Sequence, residues 1–254
     1  MDVVVLVKYV PDPAGTPKIG EDLLVQREGT DGTLDPGDEY AVEAGLQAVE
    51  AHGGEVTLVS MGPEIALGAV RKGLSMGAHR GVLVSDPALR GADALATARV
   101  LAATIRSRPF DLVLTGVEST DGYTGTLPMT VAELLGVPAL TFARGIEVQG
   151  GGVRIERQTD LGYDVLEGQL PALVSLTGSA AEPRYATLKG IMASKTKPVE
   201  QLALGDLGLS PDDVAPSQRV LSVSPAPVKG PGEVVEADGA AARIVEFLAE
   251  AKVI

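Results

Sequence analysis

The sequence predicts an α/β fold: an open, Rossmann-like parallel sheet with helices on both faces, extended by an antiparallel hairpin insertion and a long C-terminal arm. Three observations lead there. Up to about residue 143, short runs of β-branched and aliphatic residues alternate with helical stretches at a spacing that calls for parallel strands joined by right-handed crossovers. After Arg144 the apolar period changes to two, as in antiparallel hairpins. From Ser179 onward, prolines at 183, 198, 211, 216, 225, 227 and 231 punctuate a segment with little periodicity.

Residues 3–10, VVVLVKYV, read as one central strand buried on both faces, with Lys8 either snorkelling or standing at the ligand edge of the sheet. Residues 11–20 hold three prolines and exclude regular structure, and residues 23–33 suggest a small hairpin turning at Thr30, Asp31 and Gly32. Asp35 opens the first helix as an N-cap, followed by Pro36 at the first helical position and Asp38 three residues after the cap; Val42, Leu46 and Val49 form its apolar face and Gly53 closes it. Residues 56–61 form the next strand, before a helix with Leu67, Val70 and Leu74 on one face that ends at Gly77. Residues 81–85 form a third strand, followed by a helix carrying Leu95, Ala98, Ala102 and Ile105. Residues 110–115 are a fourth strand, 128–135 a short helix and 138–143 a fifth strand. In the insertion, Val153 and Ile155 face one side and Arg154 and Glu156 the other. Residues 170–176, LPALVSL, return to a sheet core, and a last amphipathic helix carries Ile244, Leu248 and Ala251.

The stretch 111–130, DLVLTGVESTDGYTGTLPMT, runs from a strand into a turn rich in glycine and hydroxyls, then into a helix. Gly116, Gly122 and Gly125 permit close backbone approach, Ser119, Thr120, Thr124 and Thr126 offer hydroxyls, and the helix points its positive end at the turn. The same residue types also make an ordinary solvated loop, and this stretch alone leaves both readings open.

A chain of 254 residues can bury a sizeable core, and the absence of cysteine excludes disulfides, thiolate metal sites and thiol catalysis. A net charge of −13 argues against nucleic acid or an anionic lipid surface as partner. No apolar run approaches the roughly 20 residues needed to cross a bilayer, and the N-terminal stretch lacks the marks of a signal peptide, so a cytoplasmic location is expected. Phosphate-loop, dinucleotide, nucleophile-elbow and zinc-protease motifs are all missing. No metal or catalytic residue is assigned. His52 sits at a helix end, where the helix dipole explains it, and His79 lies in a turn beside Arg80 without a role.

Five segments carry a resemblance: VKYVPDP (7–13), LDPGDEYAVEAGL (34–46), RKGLSMGAHRGVLV (71–84), GVESTDG (116–122) and LPALVSLTGSAAEPRYATLKGIMASKTKPVE (170–200). In order and over essentially the whole length, the chain resembles the β subunit of electron-transfer flavoproteins. The resemblance implies an adenine-nucleotide-binding fold and a heterodimer whose α subunit makes most contacts to a redox-active FAD. It implies an AMP in this subunit, with FAD-dependent dehydrogenases, including acyl-CoA dehydrogenases of fatty acid β-oxidation, as donors and a membrane quinone oxidoreductase as acceptor. Matched by position, the AMP region falls on Leu6, on Asp35, Pro36, Gly37 and Asp38, on Met61, and on residues 119–130. That last stretch comprises Ser119, Thr120, Asp121, Gly122, Tyr123, Thr124, Gly125, Thr126, Leu127, Pro128, Met129 and Thr130. The backbone N–H groups of residues 121–125 and the hydroxyls of Thr124 and Thr126 are expected to hold the phosphate, with adenine against Leu6 and Met61. Asp121 is expected to cap the turn or bond to ribose, since like charges repel. Some relatives read closer to AIDGD here, so Ser119, Thr120 and Tyr123 depart from the pattern. Pro13 stands where some relatives place a tyrosine near the flavin, so no stacking residue is assigned.

The resemblance also implies that residues 182–197 dock on partner dehydrogenases, with Leu188 as apolar anchor, Arg184 and Tyr185 beside it, and Lys189, Lys195 and Lys197 around it. The expected division is a nucleotide-binding domain over 1–178, a partner-recognition loop over 179–199, and an arm over 200–254 whose terminal helix packs on the α subunit. Two alternatives stand beside the carrier reading. A bifurcating type would place a second FAD where AMP sits, and Tyr123 and Pro128 are expected to crowd it. A stand-alone, universal-stress-type ATP-binding regulator has no use for the insertion or the arm.

Overall fold

Strand β1 (Asp2–Leu6) buries Val3, Val4, Val5 and Leu6 in succession because strands flank it on both sides and helices cover both faces. In the computed structural model, which describes all 254 residues except Glu28, Thr30, Pro225, Val228, Lys229 and Pro231, the expected single strand over residues 3–10 is split at Lys8. The Lys8 N–H donates to Asp38 Oδ2 at 2.8 Å and its carbonyl accepts from the Asp35 N–H at 2.9 Å, so the backbone leaves the sheet there. It then forms β2 (Tyr9–Pro11), which pairs antiparallel with β3 (Gly32–Leu34). The hairpin expected over residues 23–33 therefore does not close on itself. Its last strand pairs with β2, Val25 bridges Ile19, and Thr30 of the expected turn lies outside the described residues.

Helix α1 (Pro36–His52) follows the sequence signals closely. The Asp35 side chain accepts from the Gly37 N–H, Pro36 takes the first helical position, Val42, Leu46 and Val49 are buried, and Gly53 ends the helix at φ 74°. The alternation continues through β4 (Glu55–Met61), α2 (Leu67–Met76), β5 (Arg80–Val84), α3 (Ala94–Arg106), β6 (Leu112–Gly116) and α4 (Leu127–Leu135). On α3, Ala98, Ala102 and Ile105 are buried as expected, whereas Leu95 stays exposed because the covered side centres on Ala98 and Leu101.

The expected fifth strand and the first strand of the insertion are one element, β7 (Ala139–Gln149). It bends at Phe142, which has φ 59°, and shifts register between Ala143 and Gly145 before pairing antiparallel with β8 (Gly152–Thr159). Strand β9 (Gly162–Gln169) completes the insertion, and β10 (Ala172–Leu176) returns to lie parallel between β6 and β7. The segment after Ser179, read from sequence as irregular, holds α5 (Leu188–Ser194) and a further parallel strand, β11 (Val199–Leu202), against β5. The sheet order is β11-β5-β4-β1-β6-β10-β7-β8-β9. Helices α1 and α2 cover one face of its parallel part, and α3 and α4 the other. The chain divides into two compact units, Met1–Leu221 and Ser222–Ile254. The second is built around α6 (Ala237–Glu250), none of whose residues is buried.

Candidate functional site

From β1 the chain winds outward through β4 to β5, then returns to place β6 on the other side of β1. At such a reversal the two loops leaving the carboxyl ends of the central strands diverge and open a crevice, which is where ligands of open α/β sheets sit. Here the diverging segments are Lys8 after β1 and residues 117–126 after β6, with the N-terminus of α1 beside them.

Two of the four sequence-predicted segments, 35–38 and 119–130, meet in this crevice, and Lys8, two residues beyond Leu6, joins them. Asp35 accepts from the Gly37 N–H at 2.9 Å and, through its other oxygen, from the Thr120 N–H at 2.7 Å and the Thr120 hydroxyl at 2.9 Å. Capping of α1 and fastening of the turn are thus done by one carboxylate. Asp38 lies deeper. Burial raises its pKa well above the ordinary carboxylate range and the negative Asp35 adds to this, while the N–H groups of Lys8 and Gly116 and the Lys8 charge offset it only in part. Gly116 is required for this approach, because a Cβ there would stand 2.9 Å from Asp38 Oδ1 and 3.2 Å from the Gly37 carbonyl carbon.

Asp121 neither caps its own turn nor is left free for a ribose. Its side chain is only 4% exposed, and it accepts from Lys8 Nζ at 2.6 Å and from Arg27 Nε and Nη2 at 2.8 and 2.5 Å. Burial acts to raise its pKa, but the Lys8 charge and then the Arg27 charge overcome this and hold it below the usual carboxylate value. Lys8 Nζ also donates to Ser119 Oγ at 3.0 Å. Arg27 escaped the sequence reading because it lies in an aperiodic stretch with no motif around it.

The turn itself sorts the candidate phosphate donors. The N–H groups of Gly122 and Tyr123 both donate to the Ser119 carbonyl, at 3.2 and 2.9 Å, and so leave the expected set. Those of Thr124, Gly125, Thr126 and Leu127 have no acceptor among the described residues and lead directly into α4, whose first turn receives no side-chain cap from Thr126. Unpaired N–H groups at a helix start, with the Thr124 and Thr126 side chains exposed beside them, fit a phosphate. Tyr123, at φ 47°, points out with 69% of its surface exposed, and Pro128 is buried in the first turn of α4. Leu127 and Thr130 are half-buried on α4 and Met129 is exposed. Leu6 and Met61, at the ends of β1 and β4, share the apolar cluster under α3 and α4. An open depression of about 430 Å³ lies elsewhere, between α3, α4 and the turn at Asp212 and Asp213, where Arg99 and Arg106 face those two carboxylates.

The second candidate region is α5 with the extended segment before it. Tyr185 is 96% and Leu188 77% exposed, and Ile191 and Met192 add exposed apolar surface on the same helix. Arg184 is not a rim charge. Its guanidinium donates to both oxygens of Glu43, at 2.7 and 2.9 Å, and to Glu50 at 2.5 Å, tying the segment to α1. Lys197 is likewise used inside the fold, donating to the carbonyls of Leu74, Gly77 and Ala78 at the end of α2. Lys189 and Lys195 remain exposed. No metal-binding group of three or more His, Cys, Asp or Glu residues occurs among the described residues, and no helix there is long and apolar enough to cross a membrane.

A family model described as "Electron transfer flavoprotein domain" matches residues 22–207. The chain is 41% identical, over all of its length and 99% of the relative's, to an electron transfer flavoprotein subunit beta from Mycobacterium leprae (strain TN). It is 33% identical to the subunit of the same name from Clostridium acetobutylicum, over 98% of each chain. It is 36% identical, over 92% of each, to the caffeyl-CoA reductase-Etf complex subunit CarD of Acetobacterium woodii. With matches of this extent, the chain belongs to the electron transfer flavoprotein family, among its β subunits.

Proposed function

We propose that this chain is the β half of a heterodimeric electron carrier, completed by an α subunit that holds most of an FAD, and that its own crevice binds AMP as a structural nucleotide. The observation that carries the AMP reading is the run of four N–H groups without acceptors, from Thr124 to Leu127, at the start of α4. Asp121 would repel a phosphate as a free carboxylate, and its neutralisation by Lys8 and Arg27 removes that objection. Residues 124–127 hold the phosphate, and the ends of β1 and β4 at Leu6 and Met61 supply an apolar floor for adenine. FAD, when bound, supplies the redox chemistry, and no residue of this chain is assigned a catalytic step.

In this reading electrons enter from flavin dehydrogenases such as acyl-CoA dehydrogenases and leave toward a quinone oxidoreductase, with the carrier itself in the cytoplasm. Helix α5 docks on the donor. Leu188 is the plug, with Tyr185, Ile191 and Met192 widening the apolar contact and Lys189 and Lys195 orienting it. Arg184 acts from behind by fixing the segment to α1.

The experiment is to co-express the chain with its α subunit, purify and denature the complex, and quantify the released nucleotides. One FAD and one AMP per heterodimer support the carrier. Two FAD and no AMP favour the bifurcating type, a second reading to which the likeness to CarD and the outward-pointing Tyr123 lend weight. ATP on the isolated chain, with no complex formed, overturns both.

A further inference from the structure

Between β2 and β3 the chain makes a detour, and two ion pairs tie its residues 12–27 to neighbouring turns. Asp22 accepts from Arg90 in the turn after β5, and Arg27 donates to Asp121 in the turn after β6. In the sheet, β5 and β6 are separated by β4 and β1. A segment reaching from one turn to the other therefore passes over the carboxyl ends of those two strands, where Met61 and Leu6 lie. Three strand spacings of about 4.8 Å must be crossed, and the backbone from Asp22 to Arg27, turned at Leu23 (φ 61°), is lengthened at its two ends by the Arg90 and Arg27 side chains that reach to Asp22 and Asp121. The detour is internally braced. The Gly20 N–H donates to the Leu24 carbonyl at 2.8 Å, the Gln26 N–H to the Lys18 carbonyl at 2.8 Å, and Ile19 bridges Val25. It has the build of a piece that moves as one.

The two pins are unequal. The Arg90–Asp22 pair is largely solvated, and such pairs contribute little. Asp121 is buried, and the two cations around it come from separate segments, so pulling Arg27 away leaves a carboxylate partly uncompensated in a place water hardly reaches. The geometry points to residues 12–27 as a cover over the nucleotide crevice, with Lys8, Asp121 and Arg27 as its catch. Arg27 and Asp121 are positioning residues that set how fast a nucleotide enters and leaves, rather than groups that recognise it. This rests on the AMP reading above.

A cover and a ligand contact differ kinetically. Loosening a cover speeds entry and release together, whereas deleting a contact speeds release alone. The test is to measure association and release of radiolabelled AMP on the heterodimer carrying Arg27→Ala, Arg27→Lys or Arg90→Ala. For Arg27→Ala both rates are expected to rise about tenfold, the factor corresponding to a loss of about 1.4 kcal/mol, with a smaller change in Kd and faster protease cleavage within residues 12–27. Arg27→Lys restores the slow rates in part, and Arg90→Ala stays within about twofold of wild type. Unchanged rates in Arg27→Ala, or faster release with unchanged entry, overturn the cover while the AMP reading stands. A wild-type heterodimer that binds no AMP overturns both.

Discussion

Asp121 is ionised in a place with almost no water, and that state depends on two cations brought from Lys8 and Arg27. Its folded pKa lies below the usual aspartate value because those charges outweigh burial. A carboxylate with a depressed folded pKa stabilises the fold at pH above its unfolded value, and the contribution is lost as pH falls through the folded value. Asp121→Asn should therefore cost about 2 kcal/mol at pH 7, where it leaves two cations facing a neutral amide, and the deficit should shrink below about pH 4. Melting curves of the isolated chain at pH 7 and pH 3 check both parts. Gly116 offers a second case, because an alanine there must push on the backbone at the start of α1 as well as on Asp38. Gly116→Ala should lose about 1–3 kcal/mol by urea unfolding, against less than about 1 kcal/mol for Gly205→Ala, whose Cβ meets nothing within 4 Å. The sequence shows the residue types of the crevice but not these pairings. The partners of Asp121 stand 94 and 113 positions away, and only the fold brings them together.

Elements with strong local signals were readable in advance: α1 through its Asp35 cap, Pro36 and apolar spacing, and β1, β4, β5 and β6 through short aliphatic runs. Elements decided by tertiary contact were not. Strand β7 continues past Arg144 only because a bulge redirects it, and β11 is four residues long with two polar ones, held by parallel pairing to β5 rather than by its own pattern. The same holds for the segment leading to α5, whose conformation is fixed by Arg184 on Glu43 and Glu50 of α1. Burial works upward on Glu43, but the Arg184 guanidinium and the Gln47 amide more than offset it, and Arg184 likewise lowers Glu50. Both are acids with depressed folded pKa values, so their stabilisation is present above about pH 4.5 and fades as pH falls. Arg184→Met should remove about 1–3 kcal/mol at pH 7, flatten the stability profile below about pH 5, and speed hydrogen exchange across residues 178–187. Exchange unchanged in that stretch would mean that α5 is held by other contacts.

At the scale of the whole molecule, every residue counted as buried core belongs to Met1–Leu221, and the nine-stranded sheet lies wholly within it. The remaining unit, Ser222–Ile254, carries Ile244, Val245 and Phe247 exposed on a helix that buries nothing. An amphipathic helix of this kind gains its stability from what covers its apolar side, since 14 residues are marginal alone in water. In the heterodimer reading the cover is the α subunit. Removing residues 222–254 should then leave the melting temperature of the isolated chain within a few degrees of wild type, because the buried core residues all lie within Met1–Leu221. The same truncation should weaken association with the α subunit by about 100-fold or more, corresponding to about 2.7 kcal/mol or more of lost apolar contact. Sedimentation of the co-expressed pair and calorimetry of the free chain measure the two effects separately. A truncated chain that melts far lower would place the covering surface on Met1–Leu221 itself, and one that still pairs at full strength would show that the heterodimer is held by the sheet domain alone.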